Sequence, residues 1–178
     1  MLEKFADAFF VDGSLRDIIV SDTTIDDWQK VYDELRSGKY DLAYECGTSH
    51  VPPTDVCELL AGRGLQDERP RLSVKCGANT LNCFFYGEDE IEFDLDPRDV
   101  TSEDEFLKII DFMRMIGQRL RKDVSLTEEN VHEAELIRYR HEENDIVAGS
   151  WLNTREPFRE ATSVEIADFF SKLPRQGT

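Results

Sequence analysis

Between Glu88 and Glu105 the chain carries ten acids against one base, Arg98. Within that run Glu90, Glu92 and Asp94 alternate with Ile91, Phe93 and Leu95. That period-two pattern sets three carboxylates on one side of a β-strand and three apolar side chains on the other. A carboxylate ladder of this kind can steer and hold a basic partner. Asp94 and Asp96, just before Pro97, invite comparison with a calcium loop, but the EF-hand spacing and its turn glycine are missing, so no metal ligands are assigned there.

Upstream, the register that buries Leu81, Cys83 and Phe85 turns Asn82, Phe84 and Tyr86 the other way, beside the ladder. Rigid aromatics flanked by acids make a good contact surface. The candidate partner-binding residues are therefore Phe84, Tyr86, Glu88, Glu90, Glu92 and Asp94. The alternative is that another element, such as a C-terminal helix, covers Phe84 and Tyr86 and makes them a second core.

Other reactive groups form no recognised constellation. Cys46 and His50 with Cys57 match no common zinc spacing, and His132-Glu133-Ala134-Glu135 lacks the second histidine of a metalloprotease helix. There is no Gly-x-Ser-x-Gly elbow, and Gly62-Arg63-Gly64 is too short for a phosphate loop. No catalytic residue and no cofactor are assigned, which leans against an enzyme. A second reading keeps a small-molecule or enzymatic pocket near Tyr44, Cys46 and His50.

The elements that must position the ladder are legible from apolar spacing. Leu15 to Val20 reads as a strand. Thr23-Thr24 caps a helix carrying Ile25, Trp28, Val31, Tyr32 and Leu35, which Gly38 ends. Tyr40, Leu42, Tyr44 and Cys46 alternate as a second strand, giving a β-α-β opening, and a short helix follows Pro52-Pro53. Strands near 71–77, 80–86 and 90–95 form an antiparallel meander, with Cys76 opposite Leu81 and Phe85 opposite Ile91. Nine side chains, Leu72, Val74, Cys76, Leu81, Cys83, Phe85, Ile91, Phe93 and Leu95, share its core face. After Thr101-Ser102, the run Phe106, Ile109, Ile110, Met113, Ile116 and Leu120 predicts the longest helix. Val124 to Leu126 reads as a short strand, Leu136–Arg140 and Ile146–Trp151 as a hairpin, and Thr162 caps a last helix through Leu173. The expected fold is a single α+β domain over 1–178, with helices packed on a mostly antiparallel sheet in two layers.

A length of 178 residues with 40% hydrophobic side chains suffices for a buried core. The net charge of −17 disfavours nucleic acid and anionic membrane as partners and favours a basic protein, although acidity also serves solubility alone. The acidic amino terminus and the absence of a long apolar run argue against export and membrane insertion. Four cysteines in a chain this long do not suggest a disulfide scaffold and fit a reducing cytoplasm.

Asp12-Gly13-Ser14-Leu15-Arg16-Asp17-Ile18, the helix start Asp26-Asp27-Trp28, the acidic meander, and Val124-Ser125-Leu126-Thr127-Glu128-Glu129-Asn130 together give a layout that resembles the small bacterial immunity proteins of polymorphic toxin systems. The resemblance implies a non-catalytic, antitoxin-like inhibitor that binds a basic toxin domain and blocks its active site or a neighbouring surface. An acidic DNA-mimic inhibitor is a related alternative. Neither the partner's identity nor the oligomeric state is legible.

Overall fold

The computed structural model describes residues 5–61 and 69–154. Eight strands, β1 (Arg16–Ser21), β2 (Asp41–Glu45), β3 (Arg71–Cys76), β4 (Asn79–Cys83), β5 (Glu90–Leu95), β6 (Val124–Glu128), β7 (Val131–Arg140) and β8 (Asp145–Ala148), form one sheet. Their order is β2-β3-β4-β5-β1-β6-β7-β8, with every neighbouring pair antiparallel. The described helices are α1 (Ile25–Leu35), α2 (Val56–Ala61), α3 (Glu103–Leu120) and the short α4 (Ser150–Thr154). This is the α+β arrangement expected, with helices on an antiparallel sheet.

The two longer helices start where the sequence supplies a cap. Thr24 and Asp27 form a reciprocal capping box on α1, and the Ser102 side chain accepts the Glu105 N–H of α3. The expected apolar stripe of α3, from Phe106 to Leu120, is buried throughout. Phe112 of α3 meets Phe93 of β5 edge-on at 5.1 Å, and Trp28 of α1 lies 5.2 Å from Phe85, so both helices share one core with the meander.

All nine meander side chains are buried in that core. Their register differs from the expected one. The β3–β4 hairpin turns on two residues, Gly77-Ala78, rather than four, so Cys76 faces Asn79 and Val74 faces Leu81. Gly77 at φ +68° supplies the left-handed conformation a tight hairpin needs. A slip of two residues preserves the face of every side chain, which is why burial came out as expected despite the shifted pairing. Strand β4 also ends at Cys83 instead of residue 86. Asn82 pairs with Asp94, the register that would bring Phe85 to Ile91, but Phe85 takes φ +56° and the ladder stops before it.

The β-α-β opening is real in order and different in space. β1 lies in the middle of the sheet and β2 at its edge, with β3, β4 and β5 between them. The hairpin at the other end pairs β7 with β8, but β8 ends at Ala148, and Trp151 belongs to α4. The last helix expected from Thr162 lies outside the described residues. No described helix is long and apolar enough to cross a membrane, and none of the four cysteines is in a disulfide.

On the core side of β1, Arg16 is fully buried. Its Nε donates to the Ala8 carbonyl at 2.9 Å, its Nη2 to the Phe10 carbonyl at 2.7 Å and its Nη1 to the Leu15 carbonyl at 2.8 Å. Asp12 and Glu128 lie within ion-pair distance, at 3.3 and 3.5 Å. The guanidinium thereby ties the short 3-10 turn Ala6–Phe9 to the central strand. Arg16→Met should lower stability by about 3 kcal/mol, read from the urea midpoint, because it strips donors from buried carbonyls and the counter-charge from Glu128. Asp12→Asn, at the wetter rim of the same cluster, should change it by less than about 1 kcal/mol.

Candidate functional site

Strand alternation sets Ile18 and Val20 of β1, and Ile91, Phe93 and Leu95 of β5, into the core. The same alternation turns Asp17, Ile19 and Ser21, with Glu90, Glu92 and Asp94, to the opposite face. Because β1 pairs with β5, these residues fall into rows. Asn82, Asp94, Asp17 and Thr127 line up across β4, β5, β1 and β6, and Glu92, Ile19 and Ser125 form the next row. Asn82 is held by Ser73, whose hydroxyl donates to its side-chain oxygen at 2.8 Å.

One oxygen each from Asp17, Glu92 and Asp94 lies within 4.8 Å of the others. Asp17 is only 2% exposed, and its Oδ2 accepts the Asn130 N–H at 2.7 Å. Among the described residues no lysine or arginine pairs with any of the three. The acids further along the same face are treated differently. Glu135 takes Arg138 at 3.1 Å and the Ser125 hydroxyl at 2.6 Å, and Arg138 also reaches Asp123 at 2.9 Å.

The titration of these carboxylates is shifted upward. Burial, reinforced by the charges of Asp17, Asp94 and Glu90, pushes Glu92 up to about 7. Burial and the Asp17 charge push Asp94 up to about 6. Asp17 is also raised, chiefly by burial and by Glu129, against the pull of the Asn130 N–H. Glu90 rises through burial, with the imidazole of His132 acting against it from 3.3 Å.

Two adjoining clefts open along this face. One, of about 370 Å³, is lined by residues including Ile19, Ser125, Thr127 and Glu135. The other, of about 430 Å³, includes Tyr86, Asp89, Glu90 and Glu92, and the two share Ser21, Asp22 and His132. Phe84 and Tyr86 stack on one another, centroids 5.7 Å apart, with Phe84 partly buried and Tyr86 51% exposed. Between them Phe85 turns inward onto Trp28 and Tyr32. The loop is tied to α1 and its approach: Trp28 Nε1 donates to the Gly87 carbonyl, and Thr23 donates to the carbonyls of Glu88 and Asp89.

Of the six residues expected to bind a partner, Glu90, Glu92 and Tyr86 thus line one cleft. Asp94 sits in the adjacent row, Phe84 backs Tyr86, and Glu88 stands on the exposed loop. Asp17 and Thr127 escaped notice. Asp17 is the one acid inside an apolar strand, a signal that alternation could have placed opposite Ile18; its approach to Glu92 and Asp94 depends on a long-range pairing that spacing does not encode.

At the other candidate centre the side chains of Tyr44 and Cys46 are hydrogen-bonded to one another. Tyr44 is buried in the core with its hydroxyl pushed up to about 12, His50 is exposed, and among the described residues Cys46, His50 and Cys57 do not converge as a ligand set. Burial raises the thiols of Cys76, to about 11, and of Cys83, so neither is an activated nucleophile. Asp96 caps the turn Pro97–Asp99 and pairs with Arg98, apart from the cluster. Comparison with protein-family models, with curated proteins and with solved structures finds no match to this chain.

Because Glu92 and Asp94 titrate above the ordinary carboxylate range, these two groups bind more protons in the native state than in the unfolded chain between about pH 4 and pH 7, and their own contribution to stability falls as pH rises through that window. Glu92→Gln should therefore raise stability at about pH 8 in metal-free buffer. The expected gain is about 1 kcal/mol, since solvent screens a half-buried group, and it should vanish near pH 4. Urea unfolding at both pH values measures it. A loss of stability at the higher pH would show that Glu92 is held by a favourable partner instead.

Proposed function

We propose that this chain is a non-catalytic acidic binding protein, an immunity- or antitoxin-like inhibitor that takes a basic protein, such as a bacterial toxin domain, onto the sheet face opposite the helices. The observation that carries the proposal is the row of carboxylates on β1 and β5, which no lysine or arginine among the described residues neutralises, beside the stacked Phe84 and Tyr86. Partly desolvated acids gain most from a cation that arrives with its own hydrogen-bond donors. A lysine or arginine of the partner meets that need.

The aromatics supply contact area at small entropic cost, because their loop is already fixed to α1. The outlying acids, Glu88 and Asp89, together with the net charge of −17, supply steering. Nothing in the geometry favours the pocket at Tyr44, Cys46 and His50 as a second reading.

The chain and its triple variant Glu90→Lys, Glu92→Lys, Asp94→Lys, used in parallel as baits at low salt, test the proposal. The wild type should retain a basic protein that rising salt releases and the variant should not, with the purified pair showing association slowed by about tenfold or more. Equal capture of the same protein by a folded variant would remove this face as the binding surface.

A further inference from the structure

We infer that Asp17, Glu92, Asp94 and Thr127 form a binding site for one hard divalent cation, of the calcium type, on the central strands. The carboxylate oxygens of the three acids lie within 4.8 Å of one another. Oxygens on opposite sides of a Ca²⁺ ion, each about 2.4 Å from it, are about 4.8 Å apart, so one ion spans the group without rearranging the backbone.

A second observation points the same way. The Thr127 hydroxyl oxygen is buried and has no hydrogen-bond partner, although Thr127 is only 1% exposed. Thr127 is the direct cross-strand neighbour of Asp17, so the two side chains share one face. Buried hydroxyls in native proteins are nearly always satisfied, and a bound ion is one of the few things that would satisfy this one. The donor set is all oxygen, with neither sulfur nor imidazole in it, which selects Ca²⁺ or Mg²⁺ over Zn²⁺ or Cu²⁺.

The positions of the ligands are fixed independently of any ion. Asp17 and Thr127 are paired across β1 and β6, Asp17 and Asp94 across β1 and β5, and the Asn130 N–H holds one Asp17 oxygen, leaving the other for the metal. The site lies on the face proposed to meet a basic protein but does not depend on that reading. The ion and a partner's lysine or arginine would claim the same carboxylates, Glu92 and Asp94, so each would exclude the other there.

The test uses the full chain alone, freed of metal and titrated with CaCl₂ and separately with MgCl₂ by calorimetry, with thermal unfolding followed in the same buffers. One saturable Ca²⁺ site per chain is expected, with the melting temperature rising as that site fills. Asp94→Asn, which removes charge and leaves the strand intact, should weaken affinity by about tenfold or more, and so should Thr127→Val, which removes only the hydroxyl. Asp89→Asn, outside the group, should bind as wild type does. Absence of a saturable site with either ion at about 10 mM, or equal affinity in wild type, Asp94→Asn and Thr127→Val, would overturn the inference and leave only diffuse attraction to an acidic surface. Because no partner is used, failure of the metal titration leaves the capture of a basic protein untouched.

Discussion

Everything on the sheet follows from burying two adjacent, oppositely charged residues on its central strand. Arg16 and Asp17 are neighbours in β1, so strand alternation sends them to opposite faces and they cannot neutralise one another directly. A charge taken out of water must be hydrogen-bonded, paired or discharged. Arg16 meets that condition on the core side through backbone carbonyls and two acids. Asp17 meets it only in part, through one backbone N–H, and faces Glu92 and Asp94 across the β1–β5 pairing. One face of the strand is thus a finished structural joint and the other an unfinished electrostatic one.

The unfinished side explains why the pKa shifts, the unsatisfied hydroxyl oxygen of Thr127 and the want of a lysine or arginine partner among the described residues coincide. A proton on Glu92 or Asp94 is the least that relieves the repulsion. A cation does it better, whether it is an ion bound in the row or a side chain brought by a partner. Arg138 shows what a permanent solution looks like: where the fold needs Glu135 and Asp123 merely to be stable, it supplies a guanidinium of its own.

What the sequence made legible was whatever depends on local period. The nine core side chains of the meander, the stripe of α3 and the caps of α1 and α3 all follow from spacing, and all are where spacing put them. Pairing was less legible. The β3–β4 hairpin slipped by two residues because alternation fixes the face of a side chain without fixing loop length. The β-α-β opening gave no hint that three strands lie between β1 and β2. The same blindness hid half of the site. Glu90, Glu92 and Asp94 announce themselves as a ladder, whereas Asp17 and Thr127 join it only because β1 is central, a fact decided by long-range contacts.

The loop after β4 shows how a local departure from regular structure serves the same face. Had β4 run on through Tyr86, simple alternation would have spaced Phe84 and Tyr86 along a strand. Instead Phe85 adopts a left-handed conformation, uncommon for a residue with a large side chain and unfavourable by about 1 kcal/mol or more. Its ring is compensated by packing on Trp28 and Tyr32, and the loop beyond it is fastened by Trp28 and Thr23. The result is a stacked Phe84–Tyr86 pair, set beside the carboxylates by contacts made on the far side of the sheet. The helix layer therefore orders the opposite face without touching it, through one inverted residue and the core it plugs.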